Sequence, residues 1–249
     1  MTLHIGAAGW SIPPQYKDEF PEDGSHLERY ATRFACVEIN SSFYRPHRPQ
    51  TYARWAATVP NAFRFAVKIP KLISHNHRLQ DCTDILLRFL DETAELGPKR
   101  GPLLLQLPPS FIYDPKTVNQ FLQIARNHYT GPLICEPRHR SWFTPNATQC
   151  LTDHTTARVA ADPAVTPEAG TPAAFPEPAY FRLHGKPELY TSSYAPTELE
   201  ALSHQLAHSK AVSTWCIFDN TARGAATQNA LAVKARLDQP GTPVPPVIP

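Results

Sequence analysis

Residues 132–143 read PLICEPRHRSWF, and the character of the chain changes halfway along them. Leu133, Ile134 and Cys135 have the apolar composition of a strand covered on both faces. Glu136, Arg138, His139, Arg140 and Trp142 then bring an acid, three bases and an indole to its C-terminal end. Stranding charge at the end of a buried strand is costly unless strand ends open onto a common site, so the question is whether other strands end alike.

They do. Short apolar runs recur at 3–9 (LHIGAAG), 36–40 (CVEIN), 63–70 (FRFAVKIP), 102–108 (PLLLQLP), 157–162 (ARVAAD), 179–185 (AYFRLHG) and 213–220 (STWCIFDN). Helix-like stretches lie between most of them. Ser25 is placed to cap 25–34, and Leu86, Phe89 and Leu90 with Ile85 share one face of 81–97, which Gly97 stops. Pro115 opens a helix carrying Val118, Phe121, Leu122 and Ala125, and 196–209 and 221–237 read as helices too. Strands alternating with helices over this length predict an α/β fold, a single (β/α)8 TIM barrel over residues 1–238. It should be irregular after the sixth strand, where the proline-rich stretch 162–179 stands in place of a helix. Residues 239–249 read as a proline-rich C-terminal tail. An open doubly wound sheet is the rival, but GAAGW lacks the G-x-G-x-x-G turn and no phosphate loop of the Walker type occurs.

Composition narrows the classes. Of 249 residues 42% are hydrophobic and 18% charged, which supports a substantial core. A net charge of +2 makes no case for nucleic acid on its own, so any such case rests on local clusters. The five cysteines are odd in number and include no C-x-x-C pair, against both a disulfide framework and a zinc ribbon. No apolar run reaches membrane-spanning length, and a soluble cytoplasmic protein is expected.

Strand alternation separates the two faces. With Val37, Ile39, Phe65, Val67, Leu103, Leu105, Phe181 and Leu183 turned outward beneath helices, Glu38, Asn40, Lys68, Gln106, Arg182 and His184 turn inward. Glu136, Arg138 and Asp162 join them, with one or both of Asp219 and Asn220. A structural ion-pair network is the plain reading of such a ring. Desolvating each charge costs several kcal/mol that an apolar layer would spare, so a site is the better one. His184 is the natural proton carrier, with Glu136, Asp162 or Glu38 as its acid or base partner. Arg138, Arg182 and Lys68 are suited to hold a carboxylate or phosphate, helped by Asn40, Gln106 and Asn220. Trp10, Tyr44 and Trp142, with Phe43, Arg45, His47, Arg48 and Arg140, form an aromatic and basic rim. A divalent cation on Glu136, Asp162, His184 and Asp219 is the disfavoured alternative, because two arginines would repel it; no metal ligand and no cofactor is assigned.

The ordered motifs GAAGWSIPPQY, VEINSSFYRPH, KIP, LLLQLPPSF, EPRHRSW, YFRLHG and CIFDNTARGAATQNA closely resemble the domain-of-unknown-function-72 (DUF72) family, the YecE-like proteins. The resemblance covers almost the whole chain apart from the tail. It implies a TIM barrel and a bacterial cytoplasmic setting, and it brings no reaction. Many members carry Asn where Asp219 stands here, which weakens a metal role for that residue. The residues themselves favour an enzyme for a small anionic molecule, working by hydrolysis or isomerisation. The alternatives are a nucleic-acid-processing or nucleic-acid-binding barrel that uses the rim, and a non-catalytic ligand-binding scaffold. Oligomeric state is left open.

Overall fold

The computed structural model describes residues 1–238; the expected proline-rich tail, 239–249, lies outside the described residues. Ten strands form: β1 (Thr2–Ala7), β2 (Cys36–Ile39), β3 (Arg64–Lys68), β4 (Arg100–Gln106), β5 (Leu133–Glu136), β6 (Thr156–Arg158), β7 (Ala160–Asp162), β8 (Ala173–Ala174), β9 (Ala179–Leu183) and β10 (Ser213–Phe218). Seven α-helices lie between and after them: α1 (His26–Ala31), α2 (Pro49–Thr58), α3 (Thr83–Ala94), α4 (Pro115–His128), α5 (Pro145–Asp153), α6 (Pro196–Ala207) and α7 (Ala225–Leu237). Local chemistry sets their starts. Ser25 and Glu28 close a reciprocal capping box on α1, and Asp114 accepts from the Thr117 N–H ahead of Pro115 in α4.

The strands assemble as two sheets, a four-stranded one in the order β1-β10-β9-β7 and a six-stranded one in the order β2-β3-β4-β5-β6-β8. All pairings are parallel except that of β8 with β6. The α/β class and parallel pairing are as expected, but the strands do not close into one continuous sheet, and the reasons lie at two seams. At the first, the phenol of Tyr30 stands between β1 and β2, accepting from the Ala7 N–H at 2.9 Å and donating to the Cys36 carbonyl at 3.0 Å. Pairing there shrinks to the single bridge Ala8–Glu38. Gly6 is required beside it, since a Cβ at that position would lie 2.3 Å from the Cys36 oxygen. At the second seam the run expected to be one strand, 157–162, divides. Its first half pairs with β5 and its second with β9, and the Val159 N–H reaches the Cys135 carbonyl at 2.9 Å between them. The stretch after Asp162 holds a 3₁₀ turn (Pro167–Gly170) and the two-residue β8 in place of a helix.

Side chains from both sheets nevertheless pack as one inner core: Ala8, Cys36, Ala66, Leu104, Ile134, Ala157, Val159, Tyr180, Trp215 and Ile217. A larger apolar layer lies outside, between strands and helices, and contains Val37, Phe65, Leu105, Phe121 and Phe181. Alternation therefore gives the longer strands an inner and an outer face, and at the C-terminal ends of β2, β3, β4, β5, β9 and β10 the inner positions turn polar. Replacing Tyr30 by Phe should leave the Ala7 N–H and the Cys36 carbonyl buried without partners. We expect a loss of about 1–3 kcal/mol in urea unfolding, with the denaturant slope unchanged.

Candidate functional site

Arg182, at the end of β9, is fully buried and surrounded by carboxylates from three other strand ends. Its Nη2 lies 2.7 Å from Glu38 Oε1 and 3.0 Å from Asp219 Oδ2, and its Nη1 lies 3.0 Å from Glu136 Oε2. Nε donates to Glu38 at 3.0 Å, and the Tyr180 hydroxyl donates to the same carboxylate at 2.9 Å. Burial works against the charged forms of Arg182, Glu136 and Asp219, yet the neighbouring charges prevail. Asp219, Glu38 and Glu136 hold the guanidinium well above its ordinary range. Burial would raise Glu136, but Arg182, Arg138 and His184 keep it well below the usual carboxylate value of 4.5. Asp219 is likewise lowered, by Arg182 and His184 against its burial.

His184, two residues along the same face, lies between two of these acids. Its Nδ1 is 3.1 Å from Asp219 Oδ2 and its Nε2 is 3.0 Å from Glu136 Oε1. Arg138 Nη2 also approaches Nε2, at 3.2 Å, while its Nε donates to Glu136 at 2.8 Å and its Nη1 to the Tyr190 hydroxyl at 2.7 Å. Tyr190 covers His184 edge-on, with ring centres 5.6 Å apart. It does so from a backbone φ of 64°, a conformation that non-glycine residues adopt rarely.

Three polar groups on the inner side lack partners among the described residues. Asn40 donates to Asp219 at 3.3 Å, but its buried Oδ1 accepts nothing. Gln106, 7% exposed, makes no side-chain hydrogen bond, and Lys68, 5% exposed, has no ion-pair partner. Lys68 Nζ instead sits 4.1 Å from the centre of the Phe43 ring, which the Ser42 hydroxyl places by donating to the Lys68 carbonyl. Burial, followed by the nearby Arg182 charge, brings its ammonium down to about 8. His75, on a π turn after β3 (Leu72–Asn76), packs edge-on to the same Phe43 ring. It is pushed down to about 4 by burial and by the fields of Lys68, Lys71, Arg138 and Arg78.

The structure thus brings together Glu38, Asn40, Lys68, Gln106, Glu136, Arg138, Arg182 and His184. Of the other five expected residues, four lie elsewhere and one, Tyr44, stands exposed. Asp162 turns to the outer face, where it bonds Lys186 at 3.0 Å and the Tyr194 hydroxyl at 3.1 Å. On that strand the inner positions are Ala157 and Val159, which reverses the expected direction. Asn220 also faces outward, donating to Asn229 Oδ1 at 2.8 Å, which leaves Asp219 as the inward member of the pair. Trp142 is buried in packing, its indole N–H donating to the Phe111 carbonyl at 2.9 Å. Trp10 stacks edge-on against Trp55 instead of standing free, whereas Tyr44 is 75% exposed. Sequence reasoning gave Tyr180 no role, although it shares the inner face with Arg182, and missed His75 and Tyr190, whose loops carry no periodic signal. Among the described residues no group of three or more His, Cys, Asp or Glu is arranged to hold a metal ion, and no helix is long and apolar enough to cross a membrane.

The family model described as "Protein of unknown function DUF72" matches residues 4–249. The chain belongs to the DUF72 family. It is 36% identical to the UPF0759 protein YecE of Escherichia coli K12 over 109 residues, 44% of this chain and 39% of that protein. It is 28% identical to UPF0759 protein YunF of Bacillus subtilis over 151 residues, covering 57% and 53%. These alignments span about two fifths to one half of the relatives' lengths. The crystal structure of a DUF72 family protein from Thermotoga maritima superposes with a TM-score of 0.79 at 25% identity, over 96% of this chain and all of that one. The DUF72 fold therefore extends over nearly the full chain.

Removing the Arg182 charge should be severe, because three buried carboxylates lose their common partner. Arg182→Met is expected to lose about 3–5 kcal/mol at neutral pH, and part of that loss should return on acidification as the acids protonate. The sign for the intact protein follows from the lowered Glu136 and Asp219. Their stabilisation is complete above the ordinary carboxylate range and disappears as pH falls through the folded values. Urea midpoints measured from pH 7 downward should therefore fall less steeply for Glu136→Gln than for the native chain.

Proposed function

We propose that this DUF72 protein is an acid–base enzyme for a small substrate bearing a carboxylate or phosphate, working by hydrolysis or isomerisation at the inner C-terminal strand ends. The reading takes the two sheets as one incomplete (β/α)8 barrel. Supporting this are the shared inner core, the Ala8–Glu38 bridge and the run 156–162 that serves both sheets. In such a frame, strand C-termini form the mouth where reactions take place.

One observation carries the proposal: His184 Nε2 has a partner for either protonation state. With a lone pair it accepts from Arg138 Nη2 at 3.2 Å, and with a proton it donates to Glu136 Oε1 at 3.0 Å. Asp219 holds the Nδ1 proton in both states. The ring can therefore gain and release a proton at one atom without reorienting, as general acid–base chemistry requires. Glu136 and Asp219 position it, and Glu38 holds Arg182. The anion would be drawn by Lys68, Lys71, Arg78 and Arg138, the charges that act on His75. Arg182 contributes field and not grip, since its donors are engaged by carboxylates. Single-stranded nucleic acid needs a row of presented aromatic faces. Burial of Trp142 and the packing of Trp10 take two of those faces away.

Thermal-shift titration with phosphate, sulfate and sugar phosphates should raise the melting temperature of the native chain, and the rise should diminish for Arg138→Met. Turnover of any substrate found this way should fall about 10²–10⁴-fold in His184→Asn. Absence of any anion response, or full turnover by His184→Asn, would overturn the reading.

A further inference from the structure

Two lysines of this chain have largely buried side chains, and they are treated differently. Lys99 directs its ammonium onto the carbonyls of Ala56 and Val59 at 2.7 and 2.6 Å, which satisfies it. Lys68 is 5% exposed and has no oxygen acceptor among the described residues, only the face of Phe43. Its Nζ is not one of the fully enclosed unpartnered polar atoms among the described residues, so the amine meets solvent at the end of a buried stem. Packing does not require a lysine there, since the neighbouring inner residue of β3, Ala66, is small and apolar. The remaining lysines are exposed or, like Lys186 and Lys234, paired with carboxylates.

We propose that Lys68 is a covalent nucleophile that forms an imine with an aldehyde or ketone bearing a carboxylate or phosphate. This deepens the preceding reading and rests on it for the anionic part of the substrate. The free Nζ lone pair adds to the carbonyl carbon, giving a carbinolamine. The carbonyl oxygen then departs with two hydrogens from nitrogen as water, leaving a carbon–nitrogen double bond; no electrons are gained or lost overall. The surroundings favour the step. An amine held near 8 is roughly one quarter uncharged at pH 7.5, against about one part in a thousand for an ordinary lysine. Arg138, which reaches Glu136, Tyr190 and His184 from just past the end of β5, is the cation proposed to hold the anionic substituent. The Gln106 amide, unpartnered and 7% exposed on the adjacent strand, is available to the carbinolamine oxygen. Phe43, 4.1 Å from Nζ, favours the ammonium, so the free amine depends on burial and the Arg182 charge.

The test is reductive trapping. The native chain is incubated at pH 7.5 with pyruvate, or separately with glycolaldehyde phosphate, in the presence of cyanoborohydride, and followed by intact mass and peptide mapping. A single adduct should form on Lys68 at least tenfold faster than on any exposed lysine. Its rate should rise between pH 6.5 and 8.5, and it should be absent from Lys68→Met. If that variant does not fold, Lys68→Arg serves in its place, and mapping of the native chain decides the matter by itself. Adducts spread over surface lysines, with Lys68 unmodified, would overturn the proposal. Inorganic phosphate in a thermal-shift titration separates the two readings. Stabilisation by phosphate without an adduct on Lys68 sinks imine formation and leaves the anion site standing, whereas absence of both sinks both.

Discussion

The arrangement depends on one buried guanidinium. Arg182 is inaccessible to solvent and bonds acids that come from β2, β5 and the end of β10, so four strand ends meet at a single side chain. Backbone pairing is weakest where this matters most. β1 and β2 share one bridge, and the run 156–162 leaves one sheet for the other. Arg182 on the four-stranded sheet binds Glu38 and Glu136 on the six-stranded one, so the ion cluster ties together sheets that the hydrogen-bond ladder joins only partly. A well-packed apolar layer could join them at least as stably. The layer immediately below is of that kind, with Leu104, Ile134 and Ile217. Within the strands the inner-face ion pairs appear only at the C-termini; Arg64 and Arg100, which begin β3 and β4, have no carboxylate partner among the described residues. That localisation argues for chemistry at this level more strongly than the presence of any one residue.

The rigid frame also explains the precision of the histidine. His184 belongs to the same strand face as Tyr180 and Arg182, and β9 is hydrogen-bonded on both sides, to β10 and to β7. Its carboxylate partners are themselves held by Arg182, so rotating either away from the ring would abandon a buried ion pair. The exposed component is on the far side. Tyr190 lies on the loop that follows β9, touches both Arg138 and His184, and is 37% exposed. The site is thus fixed from below and covered by one strained residue, so its ionisable groups keep their registry.

Most of this was legible because alternation is a strict rule within a strand. Where a run has bulky apolar residues at every second position, as in Val37 and Ile39 or Phe181 and Leu183, the polar set between them must face the other way, and Glu38, Arg182 and His184 do. The rule lost its footing at 157–162. Alanines supply no steric preference there, and the polar residues Arg158 and Asp162 find partners outside: Arg158 at Thr148 Oγ1 and the Glu168 carbonyl, Asp162 at Lys186 and Tyr194. A polar residue marks the inner face only when the outer side offers it nothing. The same logic accounts for Asn220, which pairs with Asn229 of α7. Trp142 was misplaced for another reason: an aromatic residue in a loop can close the core from above as readily as it can face a ligand. The broken seams had no sequence signal either, because the Tyr30 hydroxyl acts across strands that its own position in α1 does not announce.

The charges of the cluster link the two chemical groups. Glu38, Glu136 and Asp219 face Arg182 and Arg138, which leaves one carboxylate charge without a fixed cation. Lys68 and His184 are the groups able to supply it, and both feel the same acids: Glu136 and Asp219 bond the imidazole, and together with Glu38 they favour the charged form of the lysine. At the lysine these acids are outweighed by burial and by the Arg182 charge, which bring its ammonium down to about 8. An anion bound against Nζ would push that balance back toward the ammonium, so the attack proposed for Lys68 requires the anionic group of the substrate to sit away from the amine.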